Sequence, residues 1–461
     1  MTNIYDALII GAGQAGPSLA GRLTAAGMTV AFVERKLFGG TCVNTGCIPT
    51  KTLIASAHTA QTARRAKDYG VNIGGDVTID MKAVKARKDA VSSLAREGVE
   101  SWLDHMEHCT VYRGHARFVS PTEVQVGTEQ IAAKRIFINV GGRARFPAMP
   151  GIDQVKTLTN TSILELDVVP QHLVIVGGSY VGLEFAQMYR RFGAQVTVAE
   201  MGPRLIARED EDVSAAVKDI LEAEGITVRL DAKCIRFEPR GAEIAVGLDC
   251  TSGPPEVIGS HVLLAVGRVP NTDDLGLDKA GVKTDARGYI VVDDELRTST
   301  PGIWALGDCN GRGAFTHTAY NDFEIVAANL LDGEHRRVSD RVPGYALYID
   351  PPLGRAGMTE AQARATKRPL LVGRMPMSRV GRAIEKGETQ GFMMAIADAE
   401  TKQILGAAIL GVGGDEAIHG LLDAISAKVP YTTIEWAVPI HPTVSELIPT
   451  LLREMKPITR S

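Results

Sequence analysis

The pattern of apolar and polar segments predicts a strand–helix–strand unit at the start of the chain. The segment YDALII (5–10) is short and apolar, and it predicts a buried strand. PSLAGRLTAAG (17–27) has helical spacing, and TVAFVE (29–34) is a second apolar run. A glycine-rich stretch, GAGQAG, joins the first strand to the helix.

The glycines of this unit have the spacing of a dinucleotide-binding turn. Gly11 makes the tight turn, Gly13 lets the backbone approach a pyrophosphate, and Gly16 lets the helix pack on the strand. The helix N-terminus supplies amides to the phosphates. Glu34 ends the second strand, where its carboxylate is expected to accept hydrogen bonds from a ribose.

The same pattern returns at 172–200, in HLVIVGGSYVGLEFAQMYRRFGAQVTVAE. Its glycines are Gly177, Gly178 and Gly182, and Ser179 stands where the middle glycine is usual. Glu200 ends the second strand and favours NADH, because a carboxylate there would repel a 2′-phosphate. Arg204 and Arg208 follow and are the residues that would accommodate NADPH. The sequence therefore predicts a second dinucleotide site, for NADH or NADPH.

A third segment, LRTSTPGIWALGDCN (296–310), supports electron transfer between two cofactors. It predicts a short strand that enters Gly307 and Asp308. An acid at the end of a strand, after a glycine, is able to bind a polyol such as the ribityl chain of a flavin. The alternative is an ordinary solvated aspartate in a turn.

Composition excludes several other classes of protein. The 461 residues predict two to four domains, and the net charge of −4 gives no basic surplus for nucleic acid or anionic membranes. No apolar run approaches the ~18 residues of a membrane span. The N-terminus lacks the charged region of a signal peptide, so we expect a cytoplasmic protein.

Two of the six cysteines, Cys42 and Cys47, lie five residues apart in GGTCVNTGCIPTKTL (39–53). A zinc site needs about four ligands, and too few Cys or His residues lie nearby. A structural disulfide is disfavoured in the cytoplasm. A redox pair fits better, because Gly46 and Pro49 are able to loosen the turn. Lys51 and a helix N-terminus would lower the thiol pKa.

These motifs resemble the FAD-dependent pyridine nucleotide–disulfide oxidoreductases, the family of glutathione reductase, dihydrolipoamide dehydrogenase and mercuric reductase. GGTCVNTGCIPTK resembles the redox-active motif of that family. The resemblance extends over essentially the whole chain, through GGSYVGLEFAQ, AVGRVPNT (265–272), GIWALGDCN and HPTVSEL (441–447).

The resemblance implies roles for individual residues. Cys47 would be the thiolate beside the flavin, Cys42 the thiol that attacks the acceptor, and Lys51 with Glu184 an ion pair near the reactive flavin nitrogen. Asp308 would bind the ribityl chain, and Ala116 in GHARF (114–118) would meet the adenine of FAD. The remaining cofactor contacts implied are Gly40, Thr41, Gly267 and Gly307. Nicotinamide would reduce the flavin on one face, and the thiol pair would be reduced on the other.

His441 and Glu446 resemble an acid–base dyad that serves the cysteines of the partner subunit. An imidazole near a thiol is able to take its proton and return it, and a carboxylate orients the ring. The resemblance therefore implies a homodimer whose active sites are shared across the interface. Without it, His441 would pass for an ordinary loop histidine.

The predicted fold class is α/β, with two Rossmann-like dinucleotide-binding domains and a C-terminal α+β dimerisation domain. The predicted boundaries are 1–149 and 274–340 for the FAD domain, 150–273 for the NAD(P) domain and 341–461 for the dimerisation domain.

The acceptor stays open at this point. The chain has no cysteine after Cys309, unlike mercuric reductases with their C-terminal pair, so mercury chemistry is in doubt. We expect a small disulfide as acceptor. The alternatives are a metal ion such as copper or mercury, a quinone, or a dihydrolipoamide dehydrogenase role in a larger complex.

Several other residues have ordinary interpretations. Cys109, Cys234, Cys250 and Cys309 are expected to be buried structural thiols. Met375, Met377, Met393 and Met394 are expected to pack the C-terminal domain, and RRVSDR (336–341) to be a solvated link. His317 and Tyr320 are expected to line the flavin domain, with contact to an acceptor as the alternative. No resident metal site is predicted.

Overall fold

The computed structural model describes residues 3–249 and 253–458, so Cys250 lies outside the described residues. Strands and helices are numbered along the chain. The helices are α1 (Ala15–Ala25), α2 (Gly40–Thr45), α3 (Cys47–Arg64), α4 (Met81–Asp104), α5 (Tyr180–Phe192), α6 (Glu211–Ala223), α7 (Thr316–Leu331), α8 (Glu360–Ala365), α9 (Gly381–Glu385), α10 (Gly414–Ala417), α11 (His419–Ser426), α12 (Tyr431–Ile434) and α13 (Ile448–Arg453).

A five-stranded parallel sheet forms the first dinucleotide-binding fold. In spatial order it contains β18 (Ile303–Ala305), β8 (Ile136–Ile138), β2 (Ala7–Ile10), β3 (Val30–Glu34) and β4 (Cys109–Arg113). Helices α1 and α7 pack together and share one apolar core with this sheet. A second core joins the sheet to a four-stranded sheet of β1 (Asn3–Tyr5), β7 (Glu129–Ala133), β6 (Glu123–Val126) and β5 (Ala116–Ser120).

The segment YDALII was predicted as one strand, and this prediction is wrong. The chain bends at Asp6, whose carboxylate accepts hydrogen bonds from the backbone N–H and the hydroxyl of Thr29 at 3.0 and 2.9 Å. Tyr5 therefore ends β1, which pairs with β7 in the smaller sheet, while the central strand β2 begins at Ala7.

The second dinucleotide-binding fold repeats the first on a smaller scale. Its parallel sheet runs β12 (Thr227–Arg229), β11 (Gln195–Ala199), β10 (His172–Val176) and β16 (His261–Leu264). An antiparallel sheet of β13 (Lys233–Arg240), β14 (Glu243–Asp249) and β15 (Glu256–Gly259) packs against it. The chain enters and leaves this region through the antiparallel pair β9 (Gly142–Ala144) and β17 (Arg268–Pro270).

The C-terminal part is built on a six-stranded antiparallel sheet. Its spatial order is β19 (Gly344–Leu347), β20 (Leu353–Gly357), β23 (Ile404–Leu410), β22 (Phe392–Asp398), β21 (Leu370–Pro376) and β24 (Lys456–Pro457). Met375, Met377, Met393 and Met394 are fully buried in its cores, as predicted.

Candidate active site

The two glycine-rich turns have nearly the same geometry. A Cβ on Gly16 would lie 2.5 Å from the carbonyl oxygen of Gly11, and a Cβ on Gly182 would lie 2.2 Å from that of Gly177. Side chains at these two positions would therefore separate each helix from its strand. Glu34 accepts a hydrogen bond from the backbone N–H of Ala12 at 2.8 Å.

Glu200 repeats this contact in the second turn. Its Oε2 accepts from the N–H of Gly178 at 2.6 Å and its Oε1 from Gly202 at 2.8 Å. Each carboxylate thus lies beside its own glycine turn and keeps lone pairs free for hydroxyl groups of a nucleotide. Arg204 forms an ion pair with Glu211 at 3.3 Å, and Arg208 is exposed.

A space that fits a diphosphate lies at the N-terminus of α1. A Cβ on Gly40 would approach the Cα of Gly13 to 2.8 Å, so two backbones free of side chains face each other there. Asp308 follows β18 and lies 3.6 Å from the guanidinium of Arg268, which also donates to the hydroxyl of Thr41 at 3.3 Å. Burial raises the pKa of Asp308.

The remaining predicted cofactor contacts lie near this diphosphate-sized space. Gly307 begins a short 3-10 helix that holds Asp308, and Gly267 immediately precedes Arg268. Ala116 is buried at the start of β5 and pairs with Val126.

The cysteine pair sits at a break between two helices. Cys42 lies in α2, Cys47 is the first residue of α3, and Gly46 separates them. A Cβ on Gly46 would lie 2.9 Å from the carbonyl oxygen of Thr41, so the break leaves no room for a side chain. Both thiols are free in this structure, and Cys47 is the more exposed of the two.

The two thiols have opposite pKa shifts because they share one proton. A hydrogen bond from Cys42, together with one from the hydroxyl of Thr316, lowers the pKa of Cys47 to about 6 despite burial. Donation to Cys47 and burial raise the pKa of Cys42. The distance from Thr316 Oγ1 to Cys47 Sγ is 3.1 Å. At neutral pH the arrangement is a thiolate at Cys47 with a thiol at Cys42.

A cation is held one helical turn beyond Cys47. Lys51 Nζ lies 2.6 Å from Glu184 Oε2 and 4.5 Å from the ring centroid of Tyr348. The other oxygen of Glu184 accepts from the backbone N–H of Tyr348 at 3.1 Å. This pair connects the thiol helix α3 to α5, and the positive charge of Lys51 contributes to the low pKa of Cys47.

His441 and Glu446 form a second charged pair near the C-terminus. His441 Nδ1 donates to Glu446 Oε2 at 2.8 Å, and the histidine side chain is 79% exposed. The neighbouring side chains of Trp436, Val438 and Ile440 are also largely exposed. Within one chain, none of the hydrogen bonds among residues 3–249 and 253–458 joins His441 to Cys42 or Cys47.

Two family models match this arrangement along the chain. Residues 5–322 match the family described as pyridine nucleotide-disulphide oxidoreductase, and residues 343–452 match the dimerisation domain of that family. The chain belongs to the pyridine nucleotide-disulphide oxidoreductase family. It is thus an FAD-dependent oxidoreductase that takes electrons from NAD(P)H, and its dimerisation domain supports a homodimer.

Relatives in the family match over nearly their full length. The probable pyridine nucleotide-disulfide oxidoreductase RclA of Escherichia coli is 35% identical over 98% of this chain and 100% of its own. A dihydrolipoyl dehydrogenase of Rhizobium etli is 33% identical over 97% of both chains. A solved structure, the Cu(II) complex of the HOCl-induced flavoprotein disulfide reductase RclA from Escherichia coli, has a TM-score of 0.89. It is 33% identical over 98% of this chain and 99% of that chain.

The residues of this chain fit the FAD that the family uses. The paired glycines at 13 and 40 leave space for a pyrophosphate at a helix N-terminus. Asp308 sits at the carboxyl end of a parallel sheet, where ligands of such folds bind. When bound, FAD would supply a carrier able to exchange a hydride with nicotinamide and an electron pair with a dithiol.

A buried carboxylate behind the Gly307–Asp308 loop escaped the sequence reasoning. Asp322 accepts hydrogen bonds from the N–H of Gly307 at 2.8 Å and from Asn310 Nδ2 at 2.9 Å, and it forms an ion pair with Arg341. Its position in α7 gave no signal, because a single aspartate in a helical stretch has no distinctive spacing relative to these partners. The segment RRVSDR is therefore more than a solvated link, because Arg341 lies in it and Val338 is buried.

The predictions for the other cysteines are only partly confirmed, and the two candidates of the flavin domain have partners within the chain. Cys309 is buried as predicted, but Cys234 is exposed, because it lies where the β13–β14 register shifts. Cys109 is half-buried. His317 binds the carbonyl oxygen of Gly344 at 2.8 Å and Tyr320 packs on Phe323, so both side chains have partners within the chain.

The described part of the chain contains neither a cluster of metal ligands nor a membrane-spanning helix. Across 3–249 and 253–458, no group of three or more His, Cys, Asp or Glu side chains is placed to hold a metal ion. In the same part of the chain, no helix is both long and apolar enough to cross a membrane.

Proposed function

We propose that this enzyme uses NADH to reduce a small disulfide, with Cys42 as the attacking thiol and Cys47 as the resident thiolate. The observation that supports this assignment is the surroundings of Cys47, whose Sγ lies 3.1 Å from the hydroxyl of Thr316 at the first residue of α3. Cys47 has three stabilising partners: the thiol of Cys42, the hydroxyl of Thr316 and the charge of Lys51. Cys42 keeps its proton and so requires a base before it attacks.

His441 of a second copy of the chain is the proposed base. Its Nδ1–H is bound to Glu446, which leaves Nε2 as the proton acceptor. Its exposure beside Trp436, Val438 and Ile440, in a dimerisation domain, supports a position at the subunit interface. Each active site would then combine the thiols of one subunit with the dyad of the other.

The proposed exchange balances in sulfur bonds, protons and electrons. His441 takes the proton of Cys42, and the Cys42 thiolate attacks one sulfur of the acceptor disulfide. That S–S bond breaks, a mixed disulfide forms at Cys42, and the first thiol leaves with the proton held by His441. Cys47 then attacks the Cys42 sulfur, which releases the second product as a thiolate and leaves a Cys42–Cys47 disulfide. The two electrons and one proton equivalent of the hydride from one NADH restore the Cys42 thiol and the Cys47 thiolate in each cycle, and the second product takes its proton from solution.

The preference for NADH is proposed from Glu200. Its carboxylate, fixed by Gly178 and Gly202, would repel a 2′-phosphate and accept from a free 2′-hydroxyl. Arg204, the nearest candidate for binding a phosphate, is paired with Glu211. A cytoplasmic location is part of the same proposal, because a cycling thiol pair needs a compartment that keeps thiols reduced.

Cu(II) is a second candidate acceptor. The relative whose solved structure matches this chain is described as a Cu(II) complex, and the two neighbouring thiols of this chain offer the soft ligands that copper binds after reduction. Each NADH would then reduce two Cu(II) ions to Cu(I).

A panel of acceptors tests the proposal. Purified holoenzyme is supplied with NADH or NADPH and with cystine, oxidised glutathione, lipoamide, a quinone or Cu(II). We expect a disulfide to turn over, with a higher kcat/KM for NADH, and Cys42→Ser to abolish that turnover while quinone reduction persists. Cys309→Ser, which alters a buried thiol, is the matched control. Disulfide turnover that survives Cys42→Ser would contradict the assignment, and turnover of Cu(II) alone would favour the second candidate.

A further inference from the structure

Three aromatic rings, one from each part of the chain, pack together at the active site. Tyr180 is the first residue of α5, Phe315 directly precedes α7, and Tyr345 lies on β19. The ring of Tyr180 meets Tyr345 edge-on at 5.4 Å and Phe315 edge-on at 6.2 Å, while Phe315 and Tyr345 stack at 5.7 Å. Both arrangements are favourable for aromatic pairs, so the position of each ring depends on the other two.

This aromatic cluster adjoins both the second glycine turn and the residue that contacts the thiols. Tyr180 directly follows the turn Gly177–Ser179, and four residues later the same face of α5 carries Glu184, the partner of Lys51. Phe315 is adjacent to Thr316, whose hydroxyl is 3.1 Å from Cys47. All three rings are half-buried, so part of each ring surface stays open to a ligand.

Tyr345 is fixed from behind by a buried ion pair. Its hydroxyl donates to Glu209 Oε1, and Arg355 binds Oε2 of the same carboxylate. Arg355 also lies 3.2 Å from Asp210, and the side chains of Glu209 and Arg355 are 0% and 1% exposed. Hydrogen bonds to a charged and desolvated carboxylate are strong, and breaking one leaves an uncompensated group. These contacts therefore hold the hydroxyl of Tyr345 in a single position.

We propose that Tyr345, Glu209 and Arg355 are positioning residues for the nicotinamide nucleotide. They hold Tyr180 in place at the turn before the nucleotide arrives, so binding does not bear the entropic cost of ordering that ring. Glu209 precedes α6 of the nucleotide-binding region and Arg355 lies in the C-terminal sheet, so the contact also sets the relative position of these two parts. The inference goes beyond the proposed function and depends only on the use of NAD(P)H by the family.

The test is a titration of the nucleotide without any terminal acceptor. FAD-loaded Tyr345→Phe is mixed anaerobically with increasing concentrations of whichever nucleotide, NADH or NADPH, reduces the wild-type protein. The concentration that gives half the maximal rate of flavin reduction is expected to rise about three- to tenfold, as for other mutations that alter coupling between groups. The rate at saturating nucleotide is expected to stay near the wild-type value. Tyr345→Phe keeps the ring and loses only the hydroxyl, so the fold is preserved.

Arg374→Met is the matched control, because Arg374 joins the same two parts of the chain through Asp212 at 2.9 Å but lies outside the aromatic cluster. Its half-saturating concentration should match the wild type. An unchanged value in Tyr345→Phe, or an equal rise in Arg374→Met, would overturn the inference. Failure of the proposed disulfide acceptor would instead appear as normal flavin reduction with no transfer to any disulfide.

Discussion

At the scale of single residues, the chemistry depends on which sulfur carries the shared proton. Thr316 and Cys42 both donate toward Cys47, and Lys51 adds positive charge. Cys47 is also the first residue of α3, where the helix dipole favours an anion. These local contacts separate two thiols that look equivalent in the sequence.

The hydroxyl of Thr316 is predicted to hold the pKa of Cys47 down. Replacement by valine removes one hydrogen bond to the thiolate, which should raise that pKa by about one unit. The measurement is a pH titration of the long-wavelength thiolate–flavin absorption of the reduced enzyme. In the wild type the band should fade as the pH drops through about 6. The conservative variant Thr316→Ser should titrate like the wild type, and coincident curves for valine and threonine would exclude the role.

The same shift makes stability depend on pH with a defined sign. The folded-state pKa of Cys47, about 6, is below the ordinary value of 9.0. The thiolate therefore stabilises the reduced protein fully above pH 9, and this contribution is lost as the pH falls toward 6. Denaturant unfolding of the reduced wild type against Cys47→Ser should show a difference that shrinks over this window. A difference that grows on acidification would contradict the assigned thiolate.

Site residues could be predicted from the sequence where they form a local motif, and were missed where no motif marks them. The spacing of Cys42, Cys47 and Lys51 in one short segment was sufficient to propose a thiol pair with a nearby cation. The ion pair of Lys51 with Glu184 also forms, although that expectation came from family resemblance. Thr316 was missed because its contact with Cys47 spans 269 residues of the chain. Asp322 was missed because a lone aspartate in a helix has no recognisable motif, although its partners are near in the sequence.

At the scale of elements, chain breaks and short loops place the functional groups. The break at Gly46 divides α2 from α3 and puts both sulfurs on the same side, as the glycine and proline suggested. The bend at Asp6 was not predicted, because apolar residues lie on both sides of it and the sequence pattern shows no break between two strands.

The loop that carries Asp308 is predicted to depend on Asp322 in α7. Asp322→Asn weakens the acceptor for Gly307 and Asn310 and leaves Arg341 without its counter-charge, so the loop should lose definition. We expect FAD to be released about tenfold more readily, equivalent to about 1.4 kcal/mol. Fluorescence of free flavin on serial dilution measures this without any assay of activity.

Asp332→Asn is the control for that variant. Asp332 follows α7 and pairs with Arg22 at 2.7 Å, but both side chains are exposed, and such pairs contribute little. Its flavin release should equal that of the wild type. If Asp322→Asn retains flavin as well as Asp332→Asn does, the buried network has no part in holding the cofactor.

At the scale of the whole molecule, the site proposed here is complete only in a pair of subunits. The repeated glycine patterns were enough to predict two dinucleotide folds, and the family resemblance added the C-terminal α+β fold. The proposed position of His441 beside the thiols of the other subunit came from family resemblance, because residue patterns within one chain do not report contacts between two subunits.

Mixed dimers test the shared site directly. Cys42→Ser and His441→Ala subunits should each be inactive as pure dimers. A mixed dimer would hold one site with both defects and one intact site. Unfolding and reassembling an equal mixture should restore about one quarter of the wild-type disulfide reductase activity, since half of the dimers would be mixed. Recovery is measured after separate reassembly of each variant as control, and no recovery in verified mixed dimers would place the dyad and the thiols on one subunit.

Cys42 and Cys47 are proposed to form a disulfide that nicotinamide reduces by way of bound FAD. The most direct measurement is the reactivity of these two thiols in the purified yellow protein, before and after anaerobic NADH, followed by peptide mapping of the label. Both cysteines should be protected before reduction and labelled after it, and Cys47→Ser should lose the long-wavelength absorption. Unchanged labelling of Cys42 and Cys47 after NADH has bleached the flavin would contradict it.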